Sequence, residues 1–372
     1  MKQPSLADTL GGIEAVLYSV LPSSADGEAN QWINAVCPNL EMSHEAMRHA
    51  TRALVEPAYD LVRRGGKRWR PLLATLVCGA LGGSEQDCLP LTPLVELSHT
   101  ASLIHDDIED HSEMRRGEPA IHIKYGEDTG INSGSFLYFL PLRCIDTWNA
   151  DAEQKNRAYR LWAEHIRRLH LGQALDITWH RHFDTIPEPD EYRAMCGLKT
   201  GSLARLAAML GIFTASIASP RLQKAGDPTK REAALVLGAA AEKLGVGFQI
   251  LDDVCNLTAG NPGKNRGDDI VEGKKSLPVI LYLHAAACAE LAARKQRIRR
   301  CFQKARENGS DAPEVEECIA YLEASGAITS ARRQGEALIE EARSVFMQET
   351  CAGIPLDRHY RDLLAELIGS LA

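Results

Sequence analysis

The sequence predicts an all-α protein, and two observations support this fold class. Apolar residues recur at helical spacing along most of the 372 residues. No run with the strict apolar and polar alternation of a β-strand is bounded by turn residues. Hydrophobic residues make up 45% of the chain and charged residues 25%, which is the ordinary balance of a globular protein. We therefore expect an extensive helical core.

The predicted helices follow one another with short breaks. The clearest helix begins after Pro93. Its apolar stripe consists of Leu94, Leu97, Ala101, Ile104 and Ile108. Similar stripes lie at residues 44–63, 157–180, 190–217, 232–256, 276–296 and 331–347. None of the breaks is long or rich in Ser and Gly, so we expect one all-α domain over residues 41–372. Residues 1–40 are less regular, and we expect them to form a loosely ordered N-terminal extension.

Charge and cysteine content narrow the functional classes. The formal net charge is −8 and no long block of like charge occurs, so we expect no nucleic-acid partner. The ten cysteines form no C-x-x-C pair, which argues against a structural zinc site or a disulfide scaffold. The first thirty residues lack the basic character of a signal or transit peptide, and no apolar run approaches the ~20 residues of a membrane span. We therefore expect a cytoplasmic protein without a transmembrane segment.

Two acidic motifs lie on otherwise apolar helices. In the first, Asp106 and Asp110 share a helix face opposite the apolar stripe. Such a face is exposed to solvent or turned into a cavity, and the apolar residues one turn earlier favour a cavity. In the second, Asp252-Asp253 follows an apolar stretch, and Gln249 lies one turn before Asp252. Buried carboxylates need counter-ions, which would be Mg²⁺ joined to substrate phosphates or basic side chains in structural ion pairs.

Basic residues occur where a diphosphate would need them. Lys67 and Arg70 follow two glycines at the predicted start of a helix, and Arg115-Arg116 follows the first acidic motif. Further candidates downstream are Lys199, Lys264 and Lys274. Each basic group alone is typical of a solvated surface. Together with two acidic motifs, they indicate a site that holds a diphosphate through metal ions and direct ion pairs.

Six motifs occur in the order and approximate spacing found in the trans-prenyltransferases. They are Gly66-Lys67-x-x-Arg70, His99 before Asp106-Asp107-x-x-Asp110, Arg115-Arg116-Gly117, Gly172-Gln173-x-x-Asp176, Lys199-Thr200-Gly201 and Phe248-Gln249-x-x-Asp252-Asp253. The chain therefore resembles the isoprenyl (polyprenyl) diphosphate synthases over about residues 60–285. Finer matches, such as Asp176-Ile177-x-Trp179, resemble geranylgeranyl diphosphate synthases of the eukaryotic type. The resemblance implies an isoprenoid synthase-like single domain of antiparallel helices around a central cavity.

The resemblance also implies a metal site. The metal ligands would be Asp106, Asp110 and Asp252. The carboxylates behind them, which would orient metal-bound water, are Asp107, Asp253 and Asp269. The implied cofactor is Mg²⁺ in a cluster of three ions, with Mn²⁺ as a substitute.

Two substrate sites follow from the same resemblance. The allylic diphosphate would meet Arg115, Lys199, Lys264 and Lys274. Isopentenyl diphosphate would meet Gly66, Lys67, Arg70, His99 and Arg116. Thr200 and Gln249 would lie beside the reacting allylic carbon, where their oxygens stabilise positive charge. The implied catalytic set is Lys199, Thr200, Gln249, Asp106 and Asp252.

The implied reaction is Mg²⁺-dependent head-to-tail elongation of dimethylallyl, geranyl or farnesyl diphosphate with isopentenyl diphosphate. The resemblance also implies a homodimer. Ala101 and Ser102, just before the first acidic motif, are small and would leave room for a growing chain. They favour a twenty-carbon geranylgeranyl product over a farnesyl product, while a longer polyprenyl product stays open. A terpene cyclase needs no second diphosphate site and a silent regulatory subunit would have lost ligands, so both are weaker alternatives.

Overall fold

The computed structural model describes residues 4–21, 29–260, 265–285 and 288–371. Helices form nearly all of its regular structure, which confirms the all-α class. Within the described ranges, β-structure consists of two antiparallel pairs of two-residue strands. They are β1 (Met114–Arg115) with β2 (Glu118–Pro119), and β3 (Thr350–Cys351) with β4 (Ile354–Pro355).

The helices of the first half are α1 (Leu6–Val20), α2 (Ala29–Val36), α3 (His44–Arg63), α4 (Trp69–Ala80), α5 (Glu85–Cys88), α6 (Pro93–Glu109), α7 (Ile121–Tyr125), α8 (Glu127–Phe139), α9 (Arg143–Thr147) and α10 (Ala152–Arg181). Those of the second half are α11 (Pro189–Cys196), α12 (Ser202–Ala218), α13 (Pro220–Lys224), α14 (Asp227–Leu257), α15 (Asp268–Glu272), α16 (Leu277–His284), α17 (Cys288–Asn308), α18 (Pro313–Ala324), α19 (Ala327–Phe346) and α20 (Arg358–Gly369). Short 3₁₀ turns at Leu89–Leu91 and Leu140–Leu142 precede α6 and α9. A π-helical turn, Gly197–Gly201, joins α11 to α12.

Most predicted helices agree with the observed ones. The stripe at 44–63 coincides with α3, and the stripe at 232–256 lies inside α14. The stripe at 190–217 runs through α11, the π-helical turn and α12. The single helix predicted at 276–296 was wrong, because α16 ends at His284 and α17 begins at Cys288.

The N-terminal region is packed more firmly than the sequence suggested. Helix α1 begins with a capping box in which Ser5 and Asp8 bond reciprocally. Its side chains Ile13 and Leu17 are fully buried in the main core. Glu14 pairs with Arg68, 2.8 Å away, at the start of α4. The expectation of a loosely ordered extension was therefore wrong for α1, because its apolar face completes the core.

Helices α4, α12, α14 and α19 form the centre of the molecule, with α12 packed against both α4 and α14. Close approach between helices depends on glycine at two places beside the π-helical turn. A Cβ on Gly245 would lie 2.8 Å from the Cα of Gly201, and a Cβ on Gly172 would lie 2.8 Å from the carbonyl carbon of Leu198. The turn is therefore held between α10 and α14 without room for side chains at these contacts.

Within the part of the chain that the structure describes, two helical stretches are long and apolar enough to cross a bilayer by length and composition alone. They are Pro189–Ala218 and Asp227–Leu257. The sequence predicted no such stretch. In the structure, 72% of the first apolar window and 50% of the second are buried inside the protein. Both stretches are core helices, and core helices of this kind have the same apolar composition as membrane spans.

Candidate active site

A cavity of about 370 Å³ opens between helices α4, α6, α10, α12 and α14. Side chains from both acidic motifs line it, together with most of the predicted basic residues. Its apolar wall includes Leu103, Leu169, Leu203 and Phe248. The acidic face of α6 therefore points into a cavity, and the alternative of a solvent-exposed face was wrong.

The first acidic motif ends helix α6, with Asp110 as its C-cap residue. Asp106 and Asp110 both line the cavity. Burial raises the pKa of Asp106 to about 6, an effect that the nearby Lys199 ammonium partly opposes and the Asp110 carboxylate increases. The motif thus presents a buried carboxylate whose negative charge is incompletely neutralised by the protein.

Asp107 was expected behind the metal ligands, where it would orient metal-bound water, but its side chain has a different position. It is fully buried and does not line the cavity. Both of its oxygens accept hydrogen bonds from Arg115, whose Nε lies 2.8 Å and 3.1 Å from them. One helix position turns the side chain by about 100°, which takes Asp107 away from the face shared by Asp106 and Asp110. Asp107 therefore anchors Arg115, which does line the cavity.

The second acidic motif lies on α14. Asp252 and Gln249 line the cavity one helical turn apart. Asp253 accepts a hydrogen bond of 2.9 Å from Gln249 Nε2 and another from the hydroxyl of Tyr192. Burial and the neighbouring Asp269 carboxylate raise the pKa of Asp253, while these two hydrogen bonds act in the opposite direction. Asp253 is thus fixed by the protein, whereas Asp252 presents its side chain at the cavity surface.

The π-helical turn carries Lys199 and Thr200 into the cavity. Lys199 Nζ lies 2.7 Å from Asp176 Oδ2 and 3.8 Å from Asp106 Oδ1. The Thr200 hydroxyl donates to Gln249 Oε1 at 2.7 Å. Insertion of a π turn in a helix is often associated with function because it redirects side chains. Here it brings a lysine and a hydroxyl oxygen between the two acidic motifs.

Lys274 joins the two acidic walls from the loop after α15. Its Nζ lies 3.5 Å from Asp110, 3.3 Å from Asp269 and 2.7 Å from Glu272. These carboxylates raise the pKa of the lysine well above its ordinary value, against the opposing effect of burial. Lys264, predicted for the same diphosphate, lies outside the described residues.

The basic side of the cavity combines the glycine loop before α4 with the turn between β1 and β2. The predicted residues that line it are Gly66, Lys67, Arg70, His99 and Arg116. Burial lowers the pKa of Arg70 to about 10, to which the neighbouring Arg116 contributes. Burial and these guanidinium groups also lower the pKa of His99 well below its ordinary value. The two neighbouring guanidinium groups of Arg70 and Arg116, whose pKa values burial lowers to about 10, form an electrostatic site for an anion.

Several site residues were not predicted from the sequence. Asp176 occurred in a recognised motif without an assigned role, and it also accepts a hydrogen bond of 2.9 Å from His180 Nε2. The spacing of four residues on α10 could have indicated this pair. Arg68 is buried and pairs with Glu96 at 2.7 Å, between the glycine loop and α6. This pair joins elements that are distant in sequence, so no local pattern indicated it.

The two small residues before the first motif have different surroundings. Ser102 lines the cavity. Ala101 is fully buried in the apolar core and does not line the cavity. The expectation that Ala101 leaves room for a growing chain was therefore wrong, because it belongs to the stripe that packs α6 against the core.

The carboxylates of the cavity fit a hard divalent cation. The candidate ligands Asp106, Asp110 and Asp252 supply oxygen donors from opposite walls. Among the described residues, no three acidic, His or Cys side chains already form a metal-binding group. This arrangement suits Mg²⁺, which usually takes one or two carboxylates and completes its coordination with substrate phosphates and water.

The comparisons with known proteins agree with this geometry. A family model described as polyprenyl synthetase matches residues 51–322. The chain is 32% identical to a geranylfarnesyl diphosphate synthase of Aeropyrum pernix, over 77% of this chain and 84% of that protein. It is 36% identical to a geranylgeranyl pyrophosphate synthase of Eremothecium gossypii, over 63% of this chain and 70% of that protein.

The fold also matches a solved structure. A geranylgeranyl pyrophosphate synthase from Corynebacterium glutamicum, complexed with isoprenyl diphosphate and magnesium, superposes with a TM-score of 0.76 at 21% identity. The match covers 99% of both chains. All of the cavity-lining residues of this chain, from Gly66 to Ser276, fall within the range of the family model.

Proposed function

Because the chain belongs to the polyprenyl synthetase family and is a chain-elongating prenyltransferase, we propose that it condenses isopentenyl diphosphate with an allylic diphosphate to give geranylgeranyl diphosphate. One observation carries this proposal. A single cavity is lined in one part by the two acidic motifs with Lys199 and Lys274, and in another part by Arg70 and Arg116. A head-to-tail condensation needs two diphosphates side by side, whereas a cyclase needs one.

We assign the basic region to isopentenyl diphosphate. Lys67, Arg70 and Arg116 would pair with its oxygens, and His99 would donate a hydrogen bond to them. The guanidinium of Arg70 lies 4.5 Å from the centroid of the Trp69 ring, which fixes its plane. Arg70 and Arg116 stay charged at neutral pH although burial lowers the pKa of each to about 10, so both present positive charge to the incoming diphosphate.

The region between the acidic motifs would hold the allylic diphosphate. Asp106, Asp110 and Asp252 would be the ligands of Mg²⁺, and Arg115, Lys199 and Lys274 would pair with the diphosphate directly. When bound, Mg²⁺ would neutralise the charge that develops on the departing diphosphate. Lys199 pairs with Asp106 and Lys274 pairs with Asp110, so both ammonium groups already lie beside the carboxylates that would hold Mg²⁺. The cluster of three ions and the use of Mn²⁺ are further predictions of the family resemblance.

Thr200 and Gln249 would stabilise the allylic cation after the carbon–oxygen bond breaks. Gln249 donates to Asp253, and this bond directs its carbonyl oxygen towards Thr200. Both oxygens thus lie together on the cavity wall, where their lone pairs face developing positive charge. The double bond of isopentenyl diphosphate then attacks the cation, and the released diphosphate would accept the proton. The apolar wall around Leu103 and Phe248 would keep water from the cation.

Product length is a separate part of this proposal. Relatives with geranylgeranyl and geranylfarnesyl products both match the chain. Ser102 and Leu103 line the apolar part of the cavity, and neither is bulky enough to close it as an aromatic side chain would. We infer a twenty-carbon product, with the geranylfarnesyl length as the alternative.

The oligomeric state and the location are proposed on other features. Phe139 on α8 and Leu171 on α10 are 64% and 57% exposed. The Phe139 ring also contacts the Trp162 ring of α10, with centroids 6.4 Å apart, so an exposed apolar surface joins α8 to α10. We propose that a second copy covers this surface, which light scattering of the protein and of a Phe139→Lys variant would test.

The described cysteines are free thiols and most are buried, which supports a reducing, cytoplasmic location.

The experiment that tests the proposed function varies the primer. Purified protein with Mg²⁺ and isopentenyl diphosphate is given dimethylallyl, geranyl or farnesyl diphosphate in turn, and products are resolved by chain length. The proposal expects one twenty-carbon diphosphate from each accepted primer. A fifteen-carbon or twenty-five-carbon end product would overturn the assigned length but not the reaction.

A further inference from the structure

We propose that Arg64 is a positioning residue that fixes the β1–β2 turn to the glycine loop, and thereby sets the distance between the cations that bind isopentenyl diphosphate. This inference rests on the proposed function, because it concerns the same substrate site. Arg64 lies outside the motifs and does not line the cavity. It would act through the residues that do.

The buried guanidinium group of Arg64 contacts both strands of the turn. Only 1% of the side chain is exposed. Its Nη1 donates to the carbonyl oxygen of Arg115 at 3.0 Å and to that of Pro119 at 2.9 Å. Its Nη2 donates to Asp60 Oδ2 at 2.9 Å. One guanidinium therefore ties β1 and β2 to a carboxylate on α3.

The turn needs such an anchor because it is very short. Its strands have two residues each, and an isolated hairpin of this size is not stable. Arg116 and Gly117, with φ of 54° and 77°, form the two-residue connection, which is the pattern of a type I′ turn. A cation placed on such a turn would move freely without contacts to the body of the protein. The carbonyl contacts of Arg64 supply them.

The second loop begins at the same residue. Arg64 caps the C-terminus of α3, and Gly65 and Gly66 follow it with φ of 78° and 145°. A Cβ at Gly66 would lie 2.9 Å from Arg116 Nη2, so the two loops touch at this point. The backbone of Arg64 thus starts one substrate-binding loop while its side chain holds the other.

Charge explains why the anchor is an arginine paired with Asp60. Asp60 is 3% exposed and also pairs with Lys124 at 2.9 Å. The hydrogen bonds and charges of Arg64 and Lys124 lower the pKa of Asp60 to about 2, although burial alone would raise it. Asp60 therefore stays ionised and neutralises Arg64 beside the other cations of the site. A planar guanidinium is also the basic group that can reach two carbonyls and a carboxylate together.

The two diphosphate sites should respond differently when Arg64 is lost. The Arg115 side chain has a second anchor in Asp107, so the allylic side is still held. Arg116 has a contact from its Nη1 to the carbonyl oxygen of Leu61 at 3.1 Å, and its backbone depends on the turn. Loss of Arg64 should therefore affect binding of isopentenyl diphosphate more than binding of the allylic substrate.

The test compares Arg64→Met with Arg63→Met in the full chain. Arg63 pairs with the same Asp60 and with Glu118 at 3.2 Å, but its side chain is 44% exposed and lies at the surface. We expect Arg64→Met to raise the KM for isopentenyl diphosphate by about tenfold or more, with kcat and the KM for the allylic substrate within about threefold. Hydrogen exchange of the segment 112–120 should become faster. Arg63→Met should change neither the KM for isopentenyl diphosphate nor the hydrogen exchange of this segment.

Equal KM values and equal exchange in Arg64→Met and the wild-type protein would overturn the inference, as would a uniform loss of kcat with no change in KM. If Arg64→Met is recovered only as aggregate, Arg64→Lys makes the same comparison, because its ammonium keeps the charge beside Asp60 but cannot reach both strands. Absence of elongation by the wild-type protein would count against the proposed function. In that case the hydrogen exchange of segment 112–120 would still test whether Arg64 anchors the β1–β2 turn.

Discussion

The ammonium group of Lys199 lies 2.7 Å from the carboxylate of Asp176, across the contact between the π-helical turn and α10. This pair shows how the site is organised before substrates bind. The Asp176 carboxylate neutralises the Lys199 ammonium, whereas the Asp106 carboxylate, 3.8 Å from the same ammonium, is only partly neutralised. A diphosphate with its metal ions would bring charges of both signs, so Lys199 could pair with phosphate oxygens while the carboxylates bind metal, and no buried charge would be left unpaired.

The raised pKa of Asp106 predicts an effect on stability in metal-free protein. Its pKa is about 6 in the folded state against an ordinary value of 3.8, so the folded state binds more protons between these limits. Ionisation of Asp106 therefore destabilises the protein as the pH rises from about 4 to 6, and the full cost is present above pH 6. We expect Asp106→Asn to be more stable than the wild-type protein at pH 7, with a difference that disappears near pH 4.

Denaturant unfolding in the presence of a chelator, at several pH values, measures this difference. Glu113→Gln, an exposed position in the same segment, serves as control and should show little change across the range. An Asp106→Asn protein that is less stable than the wild type at pH 7 would mean that the Lys199 ammonium outweighs burial at this carboxylate.

Loss of the Thr200 hydroxyl oxygen alone should slow the reaction. Thr200→Val keeps the shape of the side chain and removes the oxygen that lies 2.7 Å from Gln249. We expect kcat for elongation to fall by about tenfold to a hundredfold with little change in either KM, because the oxygen acts mainly on the cation formed during the reaction. Steady-state kinetics of Thr200→Val and Thr200→Ser measure this. A Thr200→Ser variant as slow as Thr200→Val would contradict a role for the hydroxyl.

The contact between α10 and the π-helical turn predicts a strong effect of one methyl group. A Cβ on Gly172 would collide with the backbone of Lys199. Gly172→Ala should therefore cost roughly 1–3 kcal/mol of unfolding free energy and lower kcat, because it displaces Lys199 and Thr200. Gly11 is a matched control, since its Cβ would have no atom within 4 Å in the middle of α1. Gly11→Ala should be neutral or stabilising by about 0.5–1 kcal/mol.

Chemical denaturation and kinetics of the two glycine variants separate these effects. Normal kcat in Gly172→Ala, with stability lowered, would show that the π-helical turn adjusts without moving its functional side chains.

The positions of Ala101 and Ser102 predict different outcomes for the same substitution. Ser102→Phe would fill the apolar part of the cavity and shorten the product, with fifteen carbons expected. Ala101→Phe would overpack the core of α6 and lower stability by about 1–3 kcal/mol or more, without a defined effect on length. Product analysis and thermal unfolding of both variants test this. An unchanged product length in Ser102→Phe would mean that another helix limits the chain.

The sequence predicted the parts of this structure that depend on local pattern. Periodicity placed α3 and the stripe of α6, because one face of each helix packs against the core. The motifs identified both acidic walls. Helix geometry placed Asp106 and Asp110 on one face, and the apolar residues one turn earlier favoured the cavity that this face lines. These features depend only on residues three or four apart on one helix.

Features that depend on tertiary contact could not be predicted in this way. The contacts of Arg64 with the β1–β2 turn lie 51 and 55 residues away in sequence. Asp107 belongs to the recognised motif, yet its side chain leaves the cavity to bind Arg115. Ala101 and Ser102 are neighbours in sequence, but a rotation of about 100° separates core from cavity.

The most direct test of the central claim is the dependence of product formation on the second diphosphate, on metal and on Asp106. Wild-type and Asp106→Asn proteins are incubated with an allylic diphosphate, with and without isopentenyl diphosphate, in Mg²⁺ or in chelator. We predict an elongated diphosphate that requires isopentenyl diphosphate, disappears in chelator, returns with Mg²⁺ and falls by about a hundredfold or more in Asp106→Asn. Consumption of the allylic substrate without isopentenyl diphosphate, to give a hydrocarbon, would contradict the proposal that this cavity joins two diphosphates.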